Sequence, residues 1–188
     1  MTRSPATLFL GCLLALSSLP LVSPANAAVT VTGKPKVSFF AEGSPGALDI
    51  EGTTSAITVT DDGTRISFAV PVLSVATGIP VRDDHMWNEF LQAAQFPNLS
   101  LSFARADIAW PTTLGQEAKG TLHAAFTAHG VEAPVDVSYA VKRSKTGYRV
   151  IASFKFVVTN YNISIPSYVG VTVDPAMYAE VNLDLVDA

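Results

Sequence analysis

The sequence has little charge and almost no cysteine. Only 15% of its 188 residues are charged, and 12 lysines and arginines stand against 16 aspartates and glutamates. This acidic balance argues against binding to nucleic acid, which needs a surplus of basic side chains. A single cysteine excludes a disulfide framework within the chain and a zinc or iron–sulfur site built from several cysteines. Glycine and proline, with 12 residues each, are too few for a collagen-like chain.

Long hydrophobic runs are also missing, apart from one at the start of the chain. Residues 1–27 combine a basic residue, an apolar stretch and the sequence Ala25-Asn26-Ala27, which is typical of a secretory signal peptide cleaved after Ala27. A membrane anchor and a lipoprotein signal at Cys12 are the alternatives, but the apolar stretch is shorter than a membrane-spanning helix. We therefore expect one mature domain, residues 28–188, that is soluble in the periplasm or outside the cell.

The mature sequence alternates between apolar and polar residues along most of its length. Residues 64–73 contain four apolar side chains at two-residue spacing, which is the pattern of a strand with one apolar face. The pattern recurs about eight times, and turn sequences such as Asp61-Asp62-Gly63 separate successive runs. Alternating strands joined by hairpins predict an antiparallel all-β sandwich or closed barrel.

One segment, residues 84–95, is instead rich in helix-forming residues, and its apolar side chains share one helical face. We predict one short helix at about residues 83–96, with Asp83 or Asp84 as its N-terminal cap. Such a helix would close one end of the β structure.

No convincing catalytic or metal-binding pattern accompanies these strands. His85 follows Asp83 and Asp84, whose carboxylates could orient an imidazole for acid–base catalysis. The sequence nevertheless lacks a G-x-S-x-G motif, and the mature chain has no cysteine to act as a nucleophile. His123 and His129 would lie about 20 Å apart along a strand, too far for one metal ion. The sequence therefore predicts a protein that is not an enzyme and has no metal or cofactor.

The apolar faces of the strands provide a different candidate site. In a small barrel, inward-facing apolar side chains either fill a packed core or surround a cavity for an apolar ligand. Periodicity does not distinguish these two arrangements.

Four segments follow one another in an order typical of one protein family. Residues 72–86 contain a Ser…Thr-Gly…Arg-Asp-Asp-His pattern, and residues 96–103 begin with Phe-Pro-Asn-Leu. Residues 120–135 contain Gly-Thr-Leu and His-Gly-Val, and residues 161–173 contain Tyr-Asn-Ile and Gly-Val. In order and spacing, these segments resemble the YceI-like family over nearly all of residues 37–187. The resemblance implies a lipocalin-like, eight-stranded antiparallel β-barrel with one helical segment, whose apolar tunnel binds polyisoprenoids, isoprenoid quinones or fatty-acid-like lipids.

We therefore expect a periplasmic or secreted carrier that holds a long-chain isoprenoid or other lipid inside the barrel. The predicted ligand-binding residues are large side chains of the apolar face: Ile66, Phe68, Val70, Leu101, Phe103, Phe126, Tyr139, Val150, Phe154 and Phe156. Arg82, Asp83 and His85 are predicted to form a polar mouth, although Arg82 and Asp83 could simply be hydrogen-bonding residues of a turn.

Two other functions are compatible with the sequence. One is a stress-response or interaction protein with a packed barrel, and the other is a hydrolase that uses His85. The family resemblance also allows a homodimer and transient contact with a membrane during lipid exchange, whereas nucleic acid is not an expected partner.

Overall fold

The computed structural model describes residues 28–45, 48–168 and 171–187, so the predicted signal peptide, residues 1–27, lies outside the described residues. The described residues form one antiparallel sheet of eleven strands. The strands are β1 (Val29–Ser44), β2 (Leu48–Thr54), β3 (Thr58–Asp61), β4 (Arg65–Pro71), β5 (Asn98–Ala104), β6 (Glu117–Ala128), β7 (Val131–Arg143), β8 (Gly147–Val157), β9 (Ser167–Tyr168), β10 (Val171–Val173) and β11 (Ala176–Asp187).

The sheet curls into a half-barrel. Its strands follow the order β3-β4-β5-β6-β7-β8-β11-β1, and β1 also pairs with β2 and with the short β10. Two contacts outside the strand order also hold the half-barrel together, one between β1 and β3 and one between β2 and the loop that follows β4. The Val29 N–H donates to Asp61 Oδ2 at 3.1 Å, which holds the start of β1 against β3, and Thr53 of β2 forms a β-bridge with Ala76.

The antiparallel all-β prediction is confirmed, but the predicted number of eight strands is too low. Nine of the eleven strands have four residues or more, and β9 and β10 have only two and three. The chain leaves the sheet between β2 and β3, where the Ala56 N–H donates to Thr54 Oγ1 at 3.0 Å and forms a local turn. β9 and β10 are too short to produce an alternation that could be recognised in the sequence.

The helical segment is confirmed, but its limits differ from the predicted residues 83–96. It consists of α1 (Pro80–His85) and a π-helical turn (Met86–Phe90). Proline suits the first helical position because its φ angle is already helical and its missing N–H needs no partner there. The Leu91 N–H donates to the Met86 carbonyl at 2.9 Å, and Gln92 ends the segment with a φ of 48°.

The two ends of the half-barrel differ. Strand pairing places Pro71, Asn98, Ala128 and Val157 at the end where α1 lies, which we call the upper end. At the opposite end, the floor, Asp61 and Arg105 form a buried ion pair, and the Arg105 guanidinium lies 5.2 Å from the ring centre of Trp110. Within the three described ranges, no helix is both long and apolar enough to cross a membrane.

Candidate ligand-binding site

The inner face of the half-barrel surrounds a cavity of about 980 Å³. Its wall is formed mainly by aliphatic and aromatic side chains from the long strands. All ten predicted interior residues contribute to this wall: Ile66, Phe68, Val70, Leu101, Phe103, Phe126, Tyr139, Val150, Phe154 and Phe156. Their position agrees with the sequence pattern, and their role in ligand binding stays a prediction.

The two-residue period of a strand explains why these side chains face inward. In β8, Val150, Ala152 and Phe154 line the cavity, whereas Ile151, between the first two, and Lys155, after the third, are exposed on the outside. Hydrogen bonds to β7 and β11 hold β8 on both sides, so its inward residues keep this orientation.

Aromatic side chains pack against one another in one part of the wall. The ring centre of Phe126 lies 5.1 Å from those of both Phe154 and Phe156. Tyr161 packs behind them, 5.3 Å from Phe126, and burial raises the pKa of its hydroxyl above the ordinary value of 10.0. Tilted and edge-on ring contacts of this kind add to the stability that burial alone provides.

The helical segment forms one side of the cavity mouth. Ile79 and Val81 line the cavity although they are 51% and 66% exposed, so they lie where the cavity meets solvent. Arg82, His85 and Glu89 line the same side. The His85 and Glu89 side chains are 46% and 63% exposed, and His85 Nε2 lies 4.0 Å from Glu89 Oε1.

Asp83 does not line the cavity, in contrast to the predicted polar mouth of Arg82, Asp83 and His85. It is 6% exposed, and its carboxylate accepts hydrogen bonds from the Thr77 N–H, at 2.7 Å, and from the Thr77 hydroxyl. Arg82 also binds Thr77, through Nε to Oγ1 at 2.7 Å and through Nη2 to the carbonyl at 2.8 Å. Asp83 therefore anchors the loop before α1, and it is not the predicted N-terminal cap because the helix already begins at Pro80.

Comparison with protein-family models identifies the family of this barrel. The YceI-like domain model matches residues 22–186. The chain belongs to the YceI-like family. No curated protein matches the sequence of this YceI-like chain.

Two solved structures have the same fold as this YceI-like protein. One is a polyisoprenoid binding domain from Saccharophagus degradans that is implicated in plant cell wall breakdown. It has a TM-score of 0.72 and 13% identity, and the match covers 86% of this chain and 99% of that one. The other is BcnA from Burkholderia cenocepacia, with a TM-score of 0.61, 13% identity, and coverage of 81% and 96%.

Sequence reasoning missed one polar residue and much of one wall of this YceI-like barrel. Arg82, His85, Met86 and Glu89 all line the cavity and follow the i, i+3, i+4, i+7 spacing of one helical face. That spacing could have indicated Glu89. The wall formed by β1, β2 and β11, which includes Phe39, was not among the predicted ligand-binding residues, although alternate residues 177–185 of β11 are apolar and line the cavity.

The other two histidines lie away from the cavity wall. His123 is on the outer surface, where Nδ1 lies 2.5 Å from Asp136 Oδ1. His129 lies in the turn after β6, and its ring centre is 4.5 Å from that of Phe96. In the part of the chain that the structure describes, no group of three histidine, cysteine, aspartate or glutamate side chains could hold a metal ion.

Proposed function

We propose that this protein binds a long, largely apolar lipid, such as a polyisoprenoid, an isoprenoid quinone or a fatty-acid-like chain, inside the half-barrel. The observation that carries the proposal is the apolar cavity of about 980 Å³. This volume lies at the upper end of the range of about 300–1,000 Å³ for small-molecule sites. Packed protein cores contain few voids larger than a water molecule, so the cavity favours lipid binding over an interaction protein with a packed barrel.

Burial of apolar surface would provide most of the binding free energy. Each Å² of apolar surface removed from water contributes about 25 cal/mol, and the aromatic wall around Phe126 offers a large apolar area to a flexible chain. Because no ion pair carries this interaction, added salt should change the affinity little.

Two further observations support the proposal, one concerning the ligand and one concerning the location of the protein. The S. degradans domain that shares this fold is a polyisoprenoid-binding domain. Residues 1–27 have the pattern of a cleaved signal peptide, which supports a periplasmic or secreted protein.

We favour binding over catalysis for the residues at the mouth. His85 and Glu89, 4.0 Å apart, are a pair of acid–base groups. The hydrolase alternative also requires a nucleophile, either a side chain or a water molecule, that the histidine activates at hydrogen-bond distance. The same two side chains can provide hydrogen bonds to a ligand without any such nucleophile.

The proposal is tested by filling the cavity. Ala152 lies on the cavity wall, and Ala140 lies on the neighbouring strand without lining the cavity. Ala152→Phe should fold with the circular dichroism of the wild type and should lose its lipid, because the new ring occupies the ligand volume. Ala140→Phe is the matched control and should retain the lipid.

The measurement is mass spectrometry of organic-solvent extracts from protein purified out of its native compartment. A wild-type protein that carries no lipid and binds no added isoprenoid would contradict the proposal. Lipid content that is unchanged in folded Ala152→Phe would show that the ligand lies elsewhere.

A further inference from the structure

Most of the exposed apolar side chains of this protein lie at the end where the cavity opens. Seven large apolar side chains are exposed among the described residues, and five of them belong to the upper end. We call these five the rim: Leu73, Ile79, Val81, Val157 and Ile165. Ile79 and Val81 also line the cavity, so the rim continues the apolar surface of the cavity out to solvent. Such a concentration of exposed apolar side chains is typical of a surface that contacts another molecule.

The upper end also carries a surplus of negative charge. Its exposed acidic side chains come from β1, β2, the helical segment, β7 and the turn before β11: Glu42, Asp49, Asp84, Glu89, Glu132 and Asp174. Within the three described ranges, Lys155 is the one exposed lysine or arginine at this end. Because β1 and β7 lie several strands apart in the sheet, the acidic side chains are distributed around the upper end and are not confined to one side of it.

Several of these carboxylates have no cation beside them in the folded chain. In the part of the chain that the structure describes, no basic side chain lies within ion-pair distance of Glu42, Asp49 or Glu132. Glu42 and Asp49 are directly opposite each other in the β1–β2 pair, and like charges at such positions lower stability. At the floor, by contrast, Asp184 is paired with Arg149. A partner that brings lysine or arginine side chains to the upper end would relieve this repulsion.

The charge and composition of the upper end favour a protein partner over a lipid bilayer. Segments that bind membrane surfaces usually combine lysine and arginine with tryptophan or phenylalanine, because anionic headgroups attract basic side chains. The rim is instead aliphatic and its exposed charged neighbours are mainly acidic, so an anionic bilayer would repel it. A second copy of this chain, placed mouth to mouth, would be repelled for the same reason. Protein interfaces commonly join apolar centres and place opposite charges across their borders.

We propose that the rim is the docking surface for a lipid-exchange partner, a protein that presents an apolar patch bordered by lysine and arginine side chains. The lipid passes between the two proteins through this contact. This inference rests on the proposed lipid-binding function and adds the surface and the chemical class of the partner. Because the mouth of the cavity lies beside the rim, a protein seated there would shield the apolar chain from water during its transfer.

The first part of the test is photocrosslinking in the native organism. The photoreactive amino acid p-benzoylphenylalanine replaces Leu73, a rim residue that is 61% exposed and does not line the cavity. The matched control carries it in place of Leu114, which is 62% exposed and lies at the floor. We expect a covalent adduct with a second protein from position 73 and none from position 114. Mass spectrometry identifies the captured protein, which is then purified.

The second part measures the transfer of a polyprenol from this protein to the captured protein. Glu42→Lys combined with Glu132→Lys reverses two charges at the upper end, and neither residue lines the cavity. The matched control, Glu117→Lys with Glu180→Lys, makes the same change in net charge at exposed positions farther from the mouth. The first double variant should slow transfer roughly tenfold through the loss of electrostatic steering, and the control should change it little.

Lipid binding itself serves as the internal reference. Both double variants should bind the polyprenol with the affinity of the wild type, because the altered side chains lie outside the cavity wall. Added salt should slow the transfer by the wild type and leave its affinity for the polyprenol unchanged.

Each other result has a defined meaning. Adducts from position 73 with lipid alone would show contact with a bilayer, and adducts with a second copy of this chain would show self-association. Either result overturns the proposal, as does the absence of any adduct. Equally fast transfer by the two double variants would overturn the charge complementarity. If the wild type neither carries nor binds a polyprenol, the proposed function itself fails, and lipid exchange at the rim fails with it.

Discussion

The aromatic ring of Phe39 lies directly over the backbone of Gly52, its paired residue across strands β1 and β2. A Cβ atom at position 52 would occupy the same space as the ring. Both residues line the cavity. Glycine therefore lets the ring lie flat against the wall, an arrangement known to protect the exposed backbone of glycine in sheets.

We expect Gly52→Ala to lower the free energy of unfolding by about 1–3 kcal/mol, the usual cost of forcing extra volume into a packed site. Urea unfolding followed by circular dichroism measures the change. In a Phe39→Ala background the same substitution should cost much less, because the ring is absent. If Gly52→Ala lowers the free energy of unfolding by the same amount in both backgrounds, the Phe39 ring does not require a glycine at position 52.

The buried ion pair between Asp61 and Arg105 should be sensitive to the loss of one partner. We expect Asp61→Ala to lower the free energy of unfolding by about 3–5 kcal/mol, because it leaves the Arg105 charge buried without the Asp61 carboxylate. It also removes the acceptor of the Val29 N–H, which holds β1 against β3. At the exposed Arg149–Asp184 pair, Asp184→Ala should lower the free energy of unfolding by about 1 kcal/mol or less in the same urea titration. If the two variants lower the free energy of unfolding by similar amounts, burial does not make the Asp61–Arg105 pair more sensitive to the loss of one partner.

The hydrogen bonds between Asp83 and Thr77 should control the rigidity of the mouth. We expect Asp83→Ala to release the loop before α1, because charge-assisted bonds of this kind contribute about 1.5–3 kcal/mol. Hydrogen exchange should rise in residues 76–91 and stay unchanged in β7 and β8. Asp84→Ala is the control, since Asp84 is exposed and bonds only locally, to Asn88. Equal exchange in the two variants would show that Asp83 does not anchor the mouth.

The Asp184–Arg149 pair predicts a contribution to stability that depends on pH. Two hydrogen bonds from the Arg149 guanidinium, at 2.9 and 3.0 Å, lower the pKa of Asp184 below its ordinary value of 3.8. A carboxyl group whose pKa is lowered by folding stabilises the protein above the unfolded pKa, and this contribution is lost as pH falls through the folded pKa. In Asp184→Asn, stability should therefore fall less steeply below about pH 3.8 than in the wild type.

Thermal unfolding between pH 7 and pH 2 provides this comparison. At pH 7 the difference should be about 1 kcal/mol or less, because the pair is exposed, and added salt should reduce it. Parallel pH profiles for wild type and variant would show that Asp184 has the same pKa in the folded and unfolded chains.

The sequence predicts the strand faces well because a half-buried strand has a strict two-residue period. Phe68 and Phe154 could be placed on the inner face for this reason alone. The presence of a cavity could not be predicted in this way, because periodicity says which side chains face inward and not how far away the opposite wall lies. That distance grows with the number of strands in a barrel, and the count of eight was too low.

The residues that form the mouth could be predicted only in part. The residue at which the helix begins decides which of its side chains face the cavity. The predicted start at Asp83 is three residues later than the observed start at Pro80. In the structure, Arg82, His85 and Glu89 share the face that lines the cavity, and Asp83 turns toward Thr77. The polar residues of the sequence therefore indicated the correct segment of the chain. Which of their side chains face the cavity depended on the course of the backbone.

The first and last strands have a consequence for how this barrel can be attached to other molecules. Val29 of β1 pairs with Asp187 of β11 at the floor, so these two positions are neighbours although they stand 158 residues apart in the sequence (187 − 29 = 158). The mouth lies at the other end, beside α1. A short peptide could join the two positions in a circular permutant whose chain is opened elsewhere. A fusion partner or solid support attached at either position would leave the mouth unobstructed.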